Sequence, residues 1–146
     1  AWHPTGHLGK ARSLGANRFE GARRVIDISG DGPNNQGRPV TEARDAAVAR
    51  GIVINGLPLM TREGMGAQWH LEDLDRYYRQ CVIGGAGAFV IPVLEWRDFP
   101  AAVRNKLVLD LVGGRPRPRV VPAQAAEGYD CLVGEKIWDR IRDGWN

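Results

Sequence analysis

No stretch of this chain approaches the ~20 consecutive apolar residues that span a bilayer, and the opening residues, AWHPTGHLGKARSLGANRFEG, lack the apolar core of a secretory signal. The sequence therefore offers neither a membrane span nor an address of its own; it begins at Ala1 rather than Met and reads as a mature form or a fragment. Cysteine is scarce. Cys81 and Cys131 stand far apart, outside any CxxC metal or redox spacing, which leaves two free thiols or one disulfide. A disulfide closing a loop of that size would stabilise the fold by roughly 3–4 kcal/mol, in an oxidising compartment only. A charge excess is missing too: 20 Lys and Arg against 17 acids leave +3, and the bases, nearly all Arg, are scattered singly. Nucleic-acid binding needs a clustered basic face, so it is not expected. The one cluster, Arg115, Arg117 and Arg119, alternates with Pro116 and Pro118 and reads as a stiff solvated linker.

Metal and nucleotide signatures are equally thin. His3 and His7 are four apart, but Pro4 and Gly6 oppose the helix that would align them, and His70 has no second ligand at metal spacing. Zinc, which takes three or four protein ligands, is not expected. The segment GDGPNNQG lacks both GxGxxG spacing and the Lys of a phosphate-binding loop, and GGAGAF reads as a close helix-to-strand connection. No Ser, His and acid set has supporting motif context.

The remaining composition, 43% hydrophobic and 25% charged over 146 residues, is that of an ordinary globular domain. At this length roughly 68–70% of the unfolded surface can be buried. From Arg24 a β-branched run, VIDIS, gives way to the turn-rich GDGPNNQG. PVTEARDAAVARG then carries helix signals, with Pro39 in the first turn and Gly51 just past the end, and a small apolar stripe of Val40, Ala43, Ala47 and Arg50. IVINGLPLM follows as a strand, which completes a βαβ unit and implies parallel pairing. The alternation continues. HLEDLDRYYRQCVI places Leu71, Leu74, Tyr78 and Cys81 or Val82 at helical spacing, AFVIPVLEW reads as the next buried strand, and Asp98 caps a helix with a Phe99, Val103, Leu107 and Leu111 stripe. A final amphipathic helix sets Ile137, Ile141 and Trp145 on one face. The order is that of a doubly wound α/β protein. Residues 1–20 form an irregular or altered segment, 21–114 the α/β domain, and 115–146 the Arg-Pro linker and helical tail.

Ligands of open α/β sheets bind beyond the carboxyl ends of the strands. Asp31 sits at such an end, between Gly30 and Gly32, where it would suit a hard divalent cation. On spacing alone the favoured reading is plainer: Asp31 with Asn34 or Asn35 forms Asx-type turns. Asp27 lies in the middle of a strand expected to be buried on both faces, so it needs donors, with Arg23, Arg24 or a backbone amide as candidates. It reads as a buried structural acid.

RRVIDISGDGPNNQG followed by ARDAAVARGIVINGLPL resembles the second half of a von Willebrand factor type A domain, with Gly30, Asp31, Gly32 and then Gly51 to Leu57 as the matching pieces. VIDISGDGPNNQGRPVTEARD with YYRQCVIGGAGAFV resembles, more narrowly, an uncharacterised family of exported bacterial proteins with this fold. The resemblance implies a Rossmann-like three-layer parallel sheet and a metal-ion-dependent adhesion site built from three loops. Only the third, carrying Asp31, has a counterpart; the chain contains no Asp-x-Ser-x-Ser, and Thr5 is a poor substitute for the Thr of the second loop. The N-terminal strands are read as missing, by truncation or an altered start. The narrower resemblance extends to both cysteines and implies a Cys81–Cys131 disulfide and a periplasmic or secreted location. The expectation is a non-enzymatic binding module whose full form binds a protein partner through a divalent ion, with Mg²⁺ weak or absent in this chain, Asp31 as ligand, and Gly30, Gly32, Asn34 and Asn35 supporting the loop. The alternatives are a small α/β enzyme or phosphate-ligand protein using Asp27 and Asp31, and a fragment that self-associates or needs another chain to cover its sheet edges.

Overall fold

Strand β1 (Arg24–Gly30) and strand β2 (Ile52–Pro58) run parallel, in register from Arg24 against Ile52 to Gly30 against Pro58, and helix α1 (Val40–Val48) connects them. They belong to a computed structural model that describes residues 23–61, 71–112 and 128–143. Pro39 stands at the N-cap of α1, where its missing N–H costs nothing. Gly51, at φ +72°, turns the chain out of the helix in the left-handed region that glycine tolerates best. Val40, Ala43 and Ala47 are buried, and their small side chains let α1 lie close on the sheet; Arg50 falls beyond the helix and is exposed.

Helix α2 (Leu74–Tyr77) widens into a π-helical turn (Tyr78–Val82), closed by the Ile83 N–H donating to the Tyr78 carbonyl at 3.0 Å. The wider turn sends Tyr77, Tyr78, Cys81 and Val82 into the core beside Ile26, Ile28, Ile52 and Ile54. Gly56 is where the strand admits the Tyr78 ring: a Cβ there would stand 2.5 Å from it. A second cluster joins Leu57, Val93 and Ala102 with Phe99 and Val103 of helix α3 (Phe99–Val112), which follows a 3-10 turn (Trp96–Asp98). Ile52 and Ile54 differ in parity from Leu57, so the two clusters lie on opposite faces of β2. All seven β2 residues are buried, and full burial of Ile52, Ile54 or Leu57 contributes about 1.5–3 kcal/mol each. Helix α4 (Val133–Asp143) closes the described chain, with Tyr129, Cys131 and Val133 packed against the first cluster. Among the described residues the architecture is mixed α/β around a two-stranded parallel sheet.

Three expectations are corrected. AFVIPVLEW is not a continuous strand: it pairs with β2 and the residue just after it through isolated parallel bridges, Gly56 to Val90 and Leu59 to Val93. The ladder begins properly, with Gly56 N–H donating to the Phe89 carbonyl and Ile91 N–H to the Gly56 carbonyl; the next donor would be Pro58, which has no N–H, so one bond is missing before the pairing resumes with Val93 N–H donating to the Pro58 carbonyl and Met60 N–H to the Val93 carbonyl. Strand β1 is not buried on both faces: Ile26 and Ile28 point into the core, while Asp27 and Ser29 are exposed. Helix α3 buries Ala102 and Lys106 rather than Leu107, which is 50% exposed. The helix is apolar nearly all round, so the packed face is chosen by what it meets, and what it meets includes Asp27.

Candidate functional site

Parallel strands deliver their carboxyl ends to one rim, and the loop that leaves β1 there, residues 31–38, separates its polar side chains sharply. Asp31 is exposed and makes no hydrogen bond or ion pair among the described residues. It is therefore not the Asx-turn former of the plainer reading. Asn34 shapes the loop instead, as a donor and not through an Asx turn, since among the described residues nothing donates to its Oδ1. Only 1% exposed, it donates its backbone N–H to Tyr77 Oη at 3.0 Å and its side-chain Nδ2 to the Arg38 carbonyl at 3.2 Å and to Glu135 Oε1 at 2.6 Å. Asn35 is half-buried. Gly30 is held beneath the loop by Tyr78, whose hydroxyl would lie 3.0 Å from a Cβ at that position. Neither Gly30 nor Gly32 has a positive φ, so closeness rather than backbone strain accounts for Gly30.

The tyrosines under the loop are held neutral. Burial raises both phenols well above the ordinary value near 10; for Tyr77 the Asn34 N–H partly offsets this and the Glu135 charge adds to it, while for Tyr78 the neighbouring Tyr77 and the Asp31 charge add to it. Asp31 thus projects its field onto a buried hydroxyl although it bonds to no described residue.

Asp27 has a different setting. Its side chain is one-third exposed, and it is engaged from two sides: Lys106 Nζ of α3 donates to Oδ2, and Asn55 Nδ2 of β2 donates to Oδ1 at 3.3 Å. Asn55 is fully buried and accepts the Phe89 N–H at 3.2 Å on its Oδ1. One carboxylate thereby joins α3, β1, β2 and the segment that follows α2. The acid expected to be buried is partly solvated, and its partners are neither Arg23 nor Arg24, because the face that carries Asp27 looks toward α3.

Cys81 and Cys131 are bonded, with Cα atoms 5.5 Å apart. His3, Thr5, His7, His70 and the Arg115 to Arg119 cluster lie outside the described residues. Among the described residues no three His, Cys, Asp or Glu side chains converge where they could hold a metal ion, and no helix is long and apolar enough to cross a membrane.

Residues 7–115 match the family described as "Protein of unknown function (DUF1194)". The chain belongs to the DUF1194 family. No curated protein and no solved structure matches it. The DUF1194 match takes in both strands, the 31–38 loop and α3, and it ends before the segment that carries Cys131 and α4.

Sequence reasoning singled out Asp31 and its loop as a candidate and passed over Tyr77, Lys106, Asn55, Gly134 and Glu135. Asn55 carried a signal, since a polar residue inside IVINGLP requires a partner. Gly134 and Glu135 carried none: Glu135 stands 101 residues from the side chain it binds.

Proposed function

We propose that this chain is a non-enzymatic binding module, the C-terminal part of a von Willebrand A-like domain with a Rossmann-like three-layer sheet, whose full form binds a protein partner through a divalent ion ligated by Asp31, directly or through water. The observation that carries the reading is the state of Asp31: a solvent-facing carboxylate at the carboxyl end of a parallel strand, with no bond to any described residue, on a loop whose shape is maintained by a different residue. A turn-forming Asp would be bonded inward. Apolar clusters on both faces of β2, and a following segment bridged to β2 in parallel, support the three-layer reading. The bonded cysteines and the absence of a spanning helix among the described residues are compatible with a periplasmic or secreted protein.

Asp31 fits a hard cation by chemistry but supplies one ligand, where such ions take six or more oxygens. Binding by this chain alone is therefore weak. Mn²⁺ titration followed by electron paramagnetic resonance tests the assignment: weak binding that disappears in Asp31→Ala is expected, and equal binding by the variant sinks it. A large Mg²⁺-dependent rise in Tm, abolished by Asp31→Ala, would contradict the incompleteness.

A second reading is favoured by the edge of β1. Among the described residues no strand pairs with its outer side, and open edges invite strand addition. On this reading a further chain, or a second copy, completes the sheet; a monomer by sedimentation across micromolar concentrations removes the second copy. The enzyme alternative is weaker, because Asp27 is occupied by Lys106 and Asn55 and is not available as an acid or base beside Asp31.

A further inference from the structure

The C-terminal segment 128–143 touches the body of the protein at two places with different character. At its base it is anchored. Cys131 is bonded to the fully buried Cys81, Tyr129 donates its hydroxyl to Asp73 Oδ1 at 3.0 Å, the Tyr129 ring lies 6.1 Å from that of Tyr77, and the Arg76 guanidinium sits 5.4 Å above it. Just beyond that anchor, the first turn of α4 presses on the 31–38 loop. Gly134 is buried there so tightly that a Cβ would stand 1.9 Å from the Asn34 carbonyl oxygen and 3.0 Å from Pro33 Cβ, and Glu135 Oε1 receives the Asn34 Nδ2 donor at 2.6 Å.

We propose that residues 128–143 form a disulfide-tethered clamp that sets the shape of the Asp31 loop, with Gly134 and Glu135 as its positioning residues. Asn34 is the point of control. It binds the clamp through Glu135, the far end of the loop through the Arg38 carbonyl, and the core through Tyr77, so a shift of α4 is transmitted to the loop on which Asp31 stands. The contact is not built for maximal stability. Asn34 Oδ1 and Glu135 Oε2 are both buried and, among the described residues, neither meets a hydrogen-bond donor. These are acceptors on the same two side chains that the 2.6 Å bond joins, and an acceptor buried without a donor opposes closure. A contact of this kind depends on its tether, which keeps the clamp at high local concentration, and it can open while the sheet stays folded. The clamp lies outside the residues that match the DUF1194 family.

That the loop so held is a ligand loop rests on the reading proposed above. The clamp is tested without metal, by amide hydrogen exchange on the full oxidised chain, so it can fail while Mn²⁺ binding at Asp31 stands, or the reverse. Gly134→Ala and Glu135→Ala are expected to speed exchange of residues 31–38 by about tenfold or more while leaving β2 unchanged, and reduction with dithiothreitol is expected to do the same. Glu135→Gln is the informative conservative variant: its Oε1 still accepts from Asn34, and its new Nε2–H can donate to the orphaned Asn34 Oδ1, so the loop should exchange as slowly as in the wild type or more slowly. The clamp is overturned if residues 31–38 exchange at the wild-type rate after both Gly134→Ala and reduction, or if β2 accelerates by the same factor, since the tail would then support the whole fold rather than the loop. Glu135→Gln exchanging as fast as Glu135→Ala removes Glu135 from the positioning role.

Discussion

Asp27 and Asp31 stand four residues apart, one inside a strand and one just past its end, and they are partnered in opposite ways. Asp27 is one-third exposed, yet each of its oxygens is engaged, by Lys106 and by Asn55, and those partners belong to other elements. Asp31 is exposed and bonds to no described residue, although it is close enough to Tyr78 for its charge to disfavour the phenolate. A carboxylate fully committed to donors holds elements together and has nothing left to give a ligand. A carboxylate left open adds little to the fold and keeps its lone pairs. Exposure alone does not separate the two; the partners do.

If Asp27 belongs to a structural hub, the hub's most buried member should matter most. Asn55→Ala removes the donor to Asp27 and the acceptor for Phe89 N–H and leaves a cavity, and it should destabilise by about 2–4 kcal/mol in chemical denaturation. Next comes the aromatic layer under Asp31. The chain has three tyrosines, and burial raises all of their phenols. Since the folded values lie above the unfolded ones, the associated stability is intact below pH ~10 and is lost as pH rises toward the folded values. Tyr77 and Tyr78 together should cost about 2–3 kcal/mol per pH unit above 10. Absorbance near 295 nm should therefore show phenolate appearing with unfolding rather than before it. Phenolate forming in a chain whose circular dichroism is unchanged would contradict the buried layer.

Lys106 tests the other side of the same hub. Lys106→Ala should cost about 1–3 kcal/mol, less than a fully buried pair because Asp27 is partly solvated. Replacing both partners by apolar residues, Asp27→Leu with Lys106→Met, should come closer to neutral than either change alone. A double-mutant cycle with no coupling between the two positions would reduce Asp27 to a surface acid and erase the contrast with Asp31.

How far these relations could be read in advance depended on their range. The βαβ unit was legible because its signals are local: Pro39 and Gly51 bound the helix, and Val40, Ala43 and Ala47 give its buried stripe. Helix α3 was legible as a helix but not in its orientation, since apolar residues surround it and only the charge on Asp27, supplied by a distant strand, explains an inward Lys106. The bridged segment after α2 was legible as apolar and extended, while its broken pairing depends on Pro58 of a neighbouring strand, a register effect that no local pattern encodes. At the site, turn-forming residues marked the loop correctly. Which of them shapes it was decided by Tyr77 and Glu135, far away in the chain.

The smallest expected effect is the most discriminating. Asp31→Asn should leave stability at pH 7 and low divalent-ion concentration within about 0.5 kcal/mol of the wild type, because the side chain makes no bond to a described residue that the change could break. Its trace should appear at alkaline pH. The Asp31 charge is one cause of the raised Tyr78 phenol, so removing it lowers the folded value toward the unfolded one, lessens the stability lost above pH ~10, and moves the alkaline midpoint slightly upward. The same substitution at the other acid, Asp27→Asn, should show the reverse pattern: a clear loss at pH 7, from the broken pairing with Lys106, and no upward alkaline shift. A sizeable loss at pH 7 for Asp31→Asn would mean that its carboxylate is structural after all, and the two acids would no longer differ in kind.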